Sequence, residues 1–302
     1  MMKMKTWKFW FVGLLLVRVA NGAMIIDSFQ SVRHDRFANS SQFIGANMGD
    51  AFDLSGIARA SDGRWVTMIS PSHFISAYHF RPELNSTVEF IQGNDANGLR
   101  TTRQVVEGQQ VGNTDLWIGR LDSPVDDGIK IYPMAQDVGI MGPTVYQIGN
   151  SPSGKLGDNV TTDFAVGRNI LDRFGNTQLN DSFFHYAGYT DDTALGDLTG
   201  GSQPEANLIQ DETFYQEFDS GAPTLIFQNG KIELLGIHSF IAEISTAPPH
   251  TTVERRFSGD VYLPTYHSQI ESTMATLVPE PSAASLLALG LLAWFAIQRK
   301  RR

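Results

Sequence analysis

Three short segments of this sequence carry side chains that can do nucleophilic and acid–base chemistry. The first runs from Trp65 to Phe80, two β-like runs about a turn, with His79 at its far end. The second is Asn113 to Leu121, where Asp115 stands immediately before a β-like run. The third is Phe218-Asp219-Ser220-Gly221-Ala222-Pro223, followed by a run, a glycine-containing turn and Leu234 to Phe240. A serine hydroxyl is a poor nucleophile until a base takes its proton, so a neutral imidazole must touch it. A carboxylate must then fix the imidazole tautomer and steady its positive charge. An Asp-Ser-Gly turn adds a second capacity, because it can aim consecutive backbone N–H groups at the oxygen of an attacked carbonyl. His73 and His185 are the other candidate bases, and neither has the small residues that precede His79. Taken singly, each segment has a plain structural reading, as a packed histidine, a turn aspartate and a polar turn. Their joint occurrence favours chemistry.

Side chains so far apart in the chain need a stiff scaffold, and the sequence supplies short runs of β-formers separated by Gly, Asn, Asp and Pro. Such runs are Arg64–Ile69, Phe74–Tyr78, Thr87–Gln92, Leu116–Leu121, Thr144–Ile148, Thr224–Phe227 and Ile232–His238. With no long stretch of helical periodicity, they predict an all-β sandwich or barrel of antiparallel strands. Asp95-Ala96-Asn97-Gly98 reads as a hairpin turn in which Asn-Gly supplies positive φ. The other reading of that segment is an oxygen-rich calcium loop with Glu107 nearby. Leu171 to Gln210, rich in Asp, Asn, Gly and Thr, reads as long exposed loops.

The chain has 302 residues, 42% of them hydrophobic, and no cysteine. That length buries real cores and excludes disorder as the main state. The absence of cysteine excludes disulfides, thiolate zinc sites and a cysteine nucleophile. The formal charge of −9 averages over basic ends. Residues 1–22 combine four basic residues, an apolar run from Phe9 to Val17 and the small-x-small exit Ala20-Asn21-Gly22, the order of a secretory signal peptide. At the other end Val278-Pro279-Glu280-Pro281 precedes an apolar stretch from Ala283 to Ile297 and the cluster Arg299-Lys300-Arg301-Arg302. Proline stops regular structure, the stretch can cross a bilayer, and the cluster stays cytoplasmic, so this is a stop-transfer tail. Residues 23–277 then hold 15 basic and 31 acidic side chains, a net charge of −16. So acidic a domain repels phosphate backbones, which argues against nucleic acid as a partner.

The tail, with its Pro-Glu-Pro, apolar stretch and basic cluster in that order, resembles the PEP-CTERM sorting signal of Gram-negative bacteria. The resemblance implies an exosortase-type sorting enzyme as partner, transient residence in the inner membrane, and a final place in the cell envelope, surface or extracellular matrix. The three chemical segments, in the order His, Asp, Ser, resemble those of the chymotrypsin-like (trypsin superfamily) serine proteases over roughly Ser55 to Ile270. The resemblance implies two antiparallel six-stranded β-barrels with the site between them, residues 23–141 bearing His79 and Asp115 and residues 142–277 bearing Ser220. Carried over, His79 is the general base, Asp115 its orienting carboxylate and Ser220 the nucleophile. The backbone N–H groups of Phe218 and Ser220 form the oxyanion hole. The resemblance further implies that peptide bonds of a protein or peptide substrate are hydrolysed through an acyl-enzyme with no metal or organic cofactor. Ser239, Phe240 and Ile241 would wall the specificity pocket, with Phe214 and Tyr215 near its base. His238, in Gly236-Ile237-His238-Ser239, is similar to the histidine with which glutamyl endopeptidases bind a glutamate side chain.

Departures from the family pattern are informative. Phe218 replaces the first Gly of Gly-Asp-Ser-Gly-Gly-Pro and Ala222 a later one, while Phe80 stands where the family places a disulfide cysteine. A side chain is strained where φ is positive. Phe218 therefore separates the protease from the alternative, an inactive protease-fold surface protein binding matrix protein or polysaccharide. In the family the residue matching Asp219 commonly receives a freed amino terminus. No activation site is evident here, so Asp219 has another partner or an amino terminus made by signal cleavage.

Overall fold

A computed structural model describes residues 22–138, 143–153, 164–171, 173–176, 182–189, 211–246 and 253–278. The expected leader up to residue 21, the sorting tail beyond residue 278, and residues 177–181 and 190–210 of the expected loops lie outside the described residues.

The described chain is mostly β. Strand β1 (Ile25–Ile26) is followed by a four-residue helix, α1 (Ser31–His34), and by six strands: β2 (Ile57–Arg59), β3 (Trp65–Met68), β4 (His73–Ala77), β5 (Thr87–Ile91), β6 (Arg100–Gln110) and β7 (Leu116–Leu121). These six form one antiparallel sheet in the order β2-β3-β4-β7-β6-β5. A bridge between Ala60 and Val88 brings its two edges together, so the sheet nearly closes into a barrel. The second half contributes β8 (Thr144–Asn150), β9 (Phe164–Ile170), β10 (Arg173–Asn176), β11 (Phe183–Tyr189), β12 (Thr213–Phe214), β13 (Pro223–Gln228), β14 (Lys231–Thr246) and β15 (Val253–Tyr262), then helix α2 (His267–Thr276). Seven of these strands make a second antiparallel sheet, β10-β11-β15-β14-β13-β8-β9, where six were expected. The additional strands come from Leu171–Gln210: β10 and β11 lie inside that stretch, and β11 pairs with β15 from Phe184↔Val261 to Tyr189↔Arg256. The pattern of polar residues and glycines hid them.

Alternation along the strands explains why the sequence reads as continuous apolar runs rather than apolar-polar pairs. On β7, Trp117 and Leu121 face the first barrel's interior with Val66, Phe74, Val88 and Phe90. Leu116 and Ile118 face the other way, into a core shared with Trp65, Ile75, Phe164, Leu225 and Ile237. Strands buried on both faces need apolar residues at every position. The terminal segments cross between the halves. β1 pairs with β12, and the Arg36 N–H donates to the Phe164 carbonyl, so the N-terminal segment lies on the second sheet. Helix α2 lies on the first, with Ile270 in the shared core and the Thr276 hydroxyl bonded to Gln109 on β6.

The expected hairpin turn differs in its mechanism. β5 and β6 pair as a hairpin, and the Gly98 N–H donates to the Asp95 carbonyl at 2.9 Å. The positive φ, however, falls on Gly93 and not on Asn97 or Gly98. Gly98 is needed for close approach, since a Cβ there would lie 2.1 Å from the Gln92 carbonyl oxygen.

Candidate functional site

Strand register brings the first two side chains together. β4 and β7 are antiparallel neighbours with Ala77 opposite Leu116, so His79, just past the end of β4, lies beside Asp115, just before β7. The Tyr78 N–H donates to the Asp115 carbonyl at 3.0 Å, and the His79 N–H to Asp115 Oδ1 at 3.0 Å. The imidazole then meets the same carboxylate, Nδ1 to Oδ2, at 2.8 Å. Because a carboxylate only accepts, Nδ1 carries a proton, and in the neutral ring Nε2 then keeps the lone pair. Ser220 Oγ lies 3.0 Å from that Nε2. The Asp115 side chain is 6% exposed and that of His79 46%, which leaves the base open to a substrate while its partner is sheltered.

The serine is placed by the second sheet. Its loop is clamped to β14 by the Gly221 N–H donating to the His238 carbonyl at 2.9 Å and the His238 N–H to the Ala222 carbonyl at 2.8 Å. Gly221 has φ +90°, and a Cβ there would lie 2.7 Å from Ser76 Oγ, so both conformation and space require glycine. Phe218 also sits in the left-handed region, at φ +75°, despite its side chain. Its carbonyl is held by Trp65 Nε1 at 3.1 Å and Asn150 Nδ2 at 3.4 Å, and its ring lies 6.1 Å from that of Phe80. Among the described residues, neither the Phe218 N–H nor the Ser220 N–H has a protein acceptor, so both donors are available to a ligand oxygen.

Ser239, expected to wall the pocket, donates its hydroxyl to Asp115 Oδ2. The cause is a β-bulge: His238 pairs with Asp260 and Phe240 with Gly259, leaving Ser239 as the extra residue, re-aimed toward the other half. Ser182, for which the sequence carried no signal, accepts the Asp115 N–H at 2.9 Å. Phe240 packs edge-on against Phe184, and Ile241 is exposed. Phe214, Tyr215 and His238 are all closed to solvent. The Tyr215 ring centroid is 4.0 Å from that of His238. His238 Nδ1 is 3.0 Å from Asp260 Oδ1, and the Thr224 hydroxyl donates to the other oxygen at 2.5 Å. Burial pushes the His238 pKa below the ordinary imidazole value, with Asp260 opposing it.

The other candidate bases lie elsewhere. His73 bonds to Ser70 Oγ at 2.8 Å and faces the Leu277 carbonyl, and burial lowers its pKa. His185 lies in β11 opposite Asp260. Asp95 closes an Asx turn, its Oδ1 accepting from the Asn97 N–H at 2.9 Å, and no metal-binding cluster of His, Asp or Glu occurs among the described residues. No protein-family model matches the chain, and no curated protein matches its sequence.

Proposed function

We propose that this chain is a serine endopeptidase with a chymotrypsin-like arrangement of two barrels, exported and sorted to the cell surface by its PEP-CTERM-like tail. The observation that carries the reading is the unbroken row Ser220 Oγ, His79 Nε2, His79 Nδ1, Asp115 Oδ2, with steps of 3.0 Å and 2.8 Å across it. In this reading Ser220 attacks the scissile carbonyl as His79 takes its proton, and His79 returns a proton to the leaving amine. Asp115, steadied by Ser239 and Ser182, holds the tautomer and offsets the imidazolium charge. The Phe218 and Ser220 N–H groups receive the oxyanion. Phe218 supports this over an inactive binding protein, since its φ of +75° lies in the left-handed region where a glycine is at home and its carbonyl is tied to Trp65 and Asn150.

The pocket chemistry favours an acidic residue before the scissile bond. His238 is backed by Asp260 on Nδ1, and its Nε2 has no hydrogen-bond partner among the described residues. A substrate carboxylate at Nε2 would favour the protonated ring, held between two negative groups. The deciding experiment is labelling with a fluorophosphonate probe. The parent protein is expected to label and Ser220→Ala not to; an unlabelled parent, or equal labelling of the variant, overturns the protease reading.

A further inference from the structure

The Asp219 carboxylate lies beneath the turn that presents Phe218 and Ser220, closed to solvent. Its Oδ1 accepts the Asn150 N–H at 2.8 Å and its Oδ2 the Gln216 N–H at 2.9 Å. Burial raises its pKa to about 7, against the pull of those bonds and of Arg59. A carboxylate in such a place needs a positive charge within reach. That charge is the Arg59 guanidinium, on β2 of the other half.

Arg59 reaches Asp219 through one intermediary. Its Nη1 donates to Asn150 Oδ1, while Nε and Nη2 donate to the Gly63 carbonyl at 2.9 Å and 2.6 Å. Asn150 in turn gives its N–H to Asp219 and its Nδ2 to the Phe218 carbonyl at 3.4 Å and the Gly22 carbonyl at 3.3 Å. The guanidinium also lies over the Trp65 ring, 5.3 Å from its centroid, and Trp65 Nε1 is the second donor to the Phe218 carbonyl. One cation thus fixes both groups that hold the Phe218 backbone in its left-handed conformation.

We infer that Arg59 and Asn150 are positioning residues for the oxyanion-binding turn. The inference rests on the protease reading. Arg59 touches no substrate. It acts by holding the Phe218 and Ser220 N–H groups where the oxyanion develops, and a shift of those donors weakens the transition state more than the ground state.

The test is steady-state hydrolysis of a peptide ester by the full exported chain, comparing the parent with Arg59→Met, Arg59→Lys and Asn150→Ala. Arg59→Met and Asn150→Ala are expected to lower kcat about 10- to 100-fold with KM within about twofold, since one oxyanion donor is worth 10²–10³. Arg59→Lys should recover part of the loss, which a purely packing role would not produce. Fluorophosphonate labelling of the parent separates the two ideas: an unlabelled parent fails the protease reading, whereas a labelled parent with Arg59→Met at full kcat overturns this inference. A second measurement holds even if those variants do not fold. A chain carrying extra residues ahead of Gly22 is expected to keep the parent's kcat. Activity that disappears with the extension and returns on trimming would assign the charge to the amino terminus instead.

Discussion

Replacing Phe218 by glycine tests whether the backbone or the ring at this position matters. At φ +75° an L side chain is strained, and relieving it is worth about 1–2 kcal/mol. Against this, glycine loses more backbone freedom on folding, about 0.5–1 kcal/mol, and the contact with Phe80 is forfeited, about 0.5–1.5 kcal/mol more. The terms nearly cancel, so Phe218→Gly should unfold in urea within about 1 kcal/mol of the parent. Phe218→Ala keeps the strain and loses the ring contact, which makes it about 1 kcal/mol less stable. Ties to the Phe218 carbonyl from Trp65 and Asn150 survive in both variants, so kcat should stay within about threefold of the parent. A folded Phe218→Gly whose kcat falls 100-fold would refute the reasoning, because the ring would then be what aims the N–H. A stability loss above about 2 kcal/mol would show that the strain was overvalued.

Two further outcomes follow from buried charge. A peptide library should be cleaved after Glu in preference to Lys or Phe, and His238→Ala should lose that preference while Ser220 still labels; equal cleavage after all three by the parent would count against the acidic pocket. At Asp211, burial alone would raise the pKa, but hydrogen bonds from Arg33, His34 and Arg168 outweigh it and hold the group well below the usual carboxylate range. A depressed carboxylate stabilises the fold above its unfolded pKa of about 4, and that stability drains away as the pH falls further, by up to about 1.4 kcal/mol per pH unit. Urea midpoints between pH 5 and pH 3 should therefore fall less steeply in Asp211→Asn than in the parent; equal slopes would remove Asp211 from the acid limb.

How much of this was legible in the sequence depends on which residues carry the information. The strands of the first barrel announce themselves because β3, β4 and β7 are apolar on both faces, and β7 was read at its observed ends, Leu116 to Leu121. His79, Asp115 and Ser220 stand out because each abuts a strand end, where local pattern is strongest. β10 and β11 were read as loops because their glycines and polar residues break the apolar run, and pairing with β15 overrides that local preference. The bond from Ser239 to Asp115 is not legible in the sequence, because a one-residue bulge changes which way a side chain faces and a bulge has no sequence period of its own. Arg59 and Asn150 gave no local signal at all. They act across the boundary between sheets, and only the folded arrangement brings β2 against the end of β8.

That boundary is where the site is assembled, since the bond from His79 to Ser220 joins the two halves. In the proposed reaction a displacement of about 1 Å between them would cost on the order of 100-fold in rate. With no cysteine available, the boundary is tied in part by buried guanidinium groups. Arg36, on the segment docked to the second sheet, donates through Nη2 to the carbonyls of Ile91 and Gly93 in the first half, both at 2.6 Å. Its guanidinium lies 5.0 Å from the centroid of the Phe164 ring. Burial lowers its pKa to about 10, which still leaves it charged at neutral pH. A guanidinium suits this task because one of its nitrogens can reach two carbonyls and its faces accept aromatic rings, although the buried Arg36 Nε has no hydrogen-bond partner among the described residues. Arg36 lies over the Phe164 ring and Arg59 over the Trp65 ring of a pair whose centroids are 5.7 Å apart, and each fastens one half to the other by hydrogen bonds. In the proposed reaction neither arginine takes part, yet both fasten the halves that carry its residues.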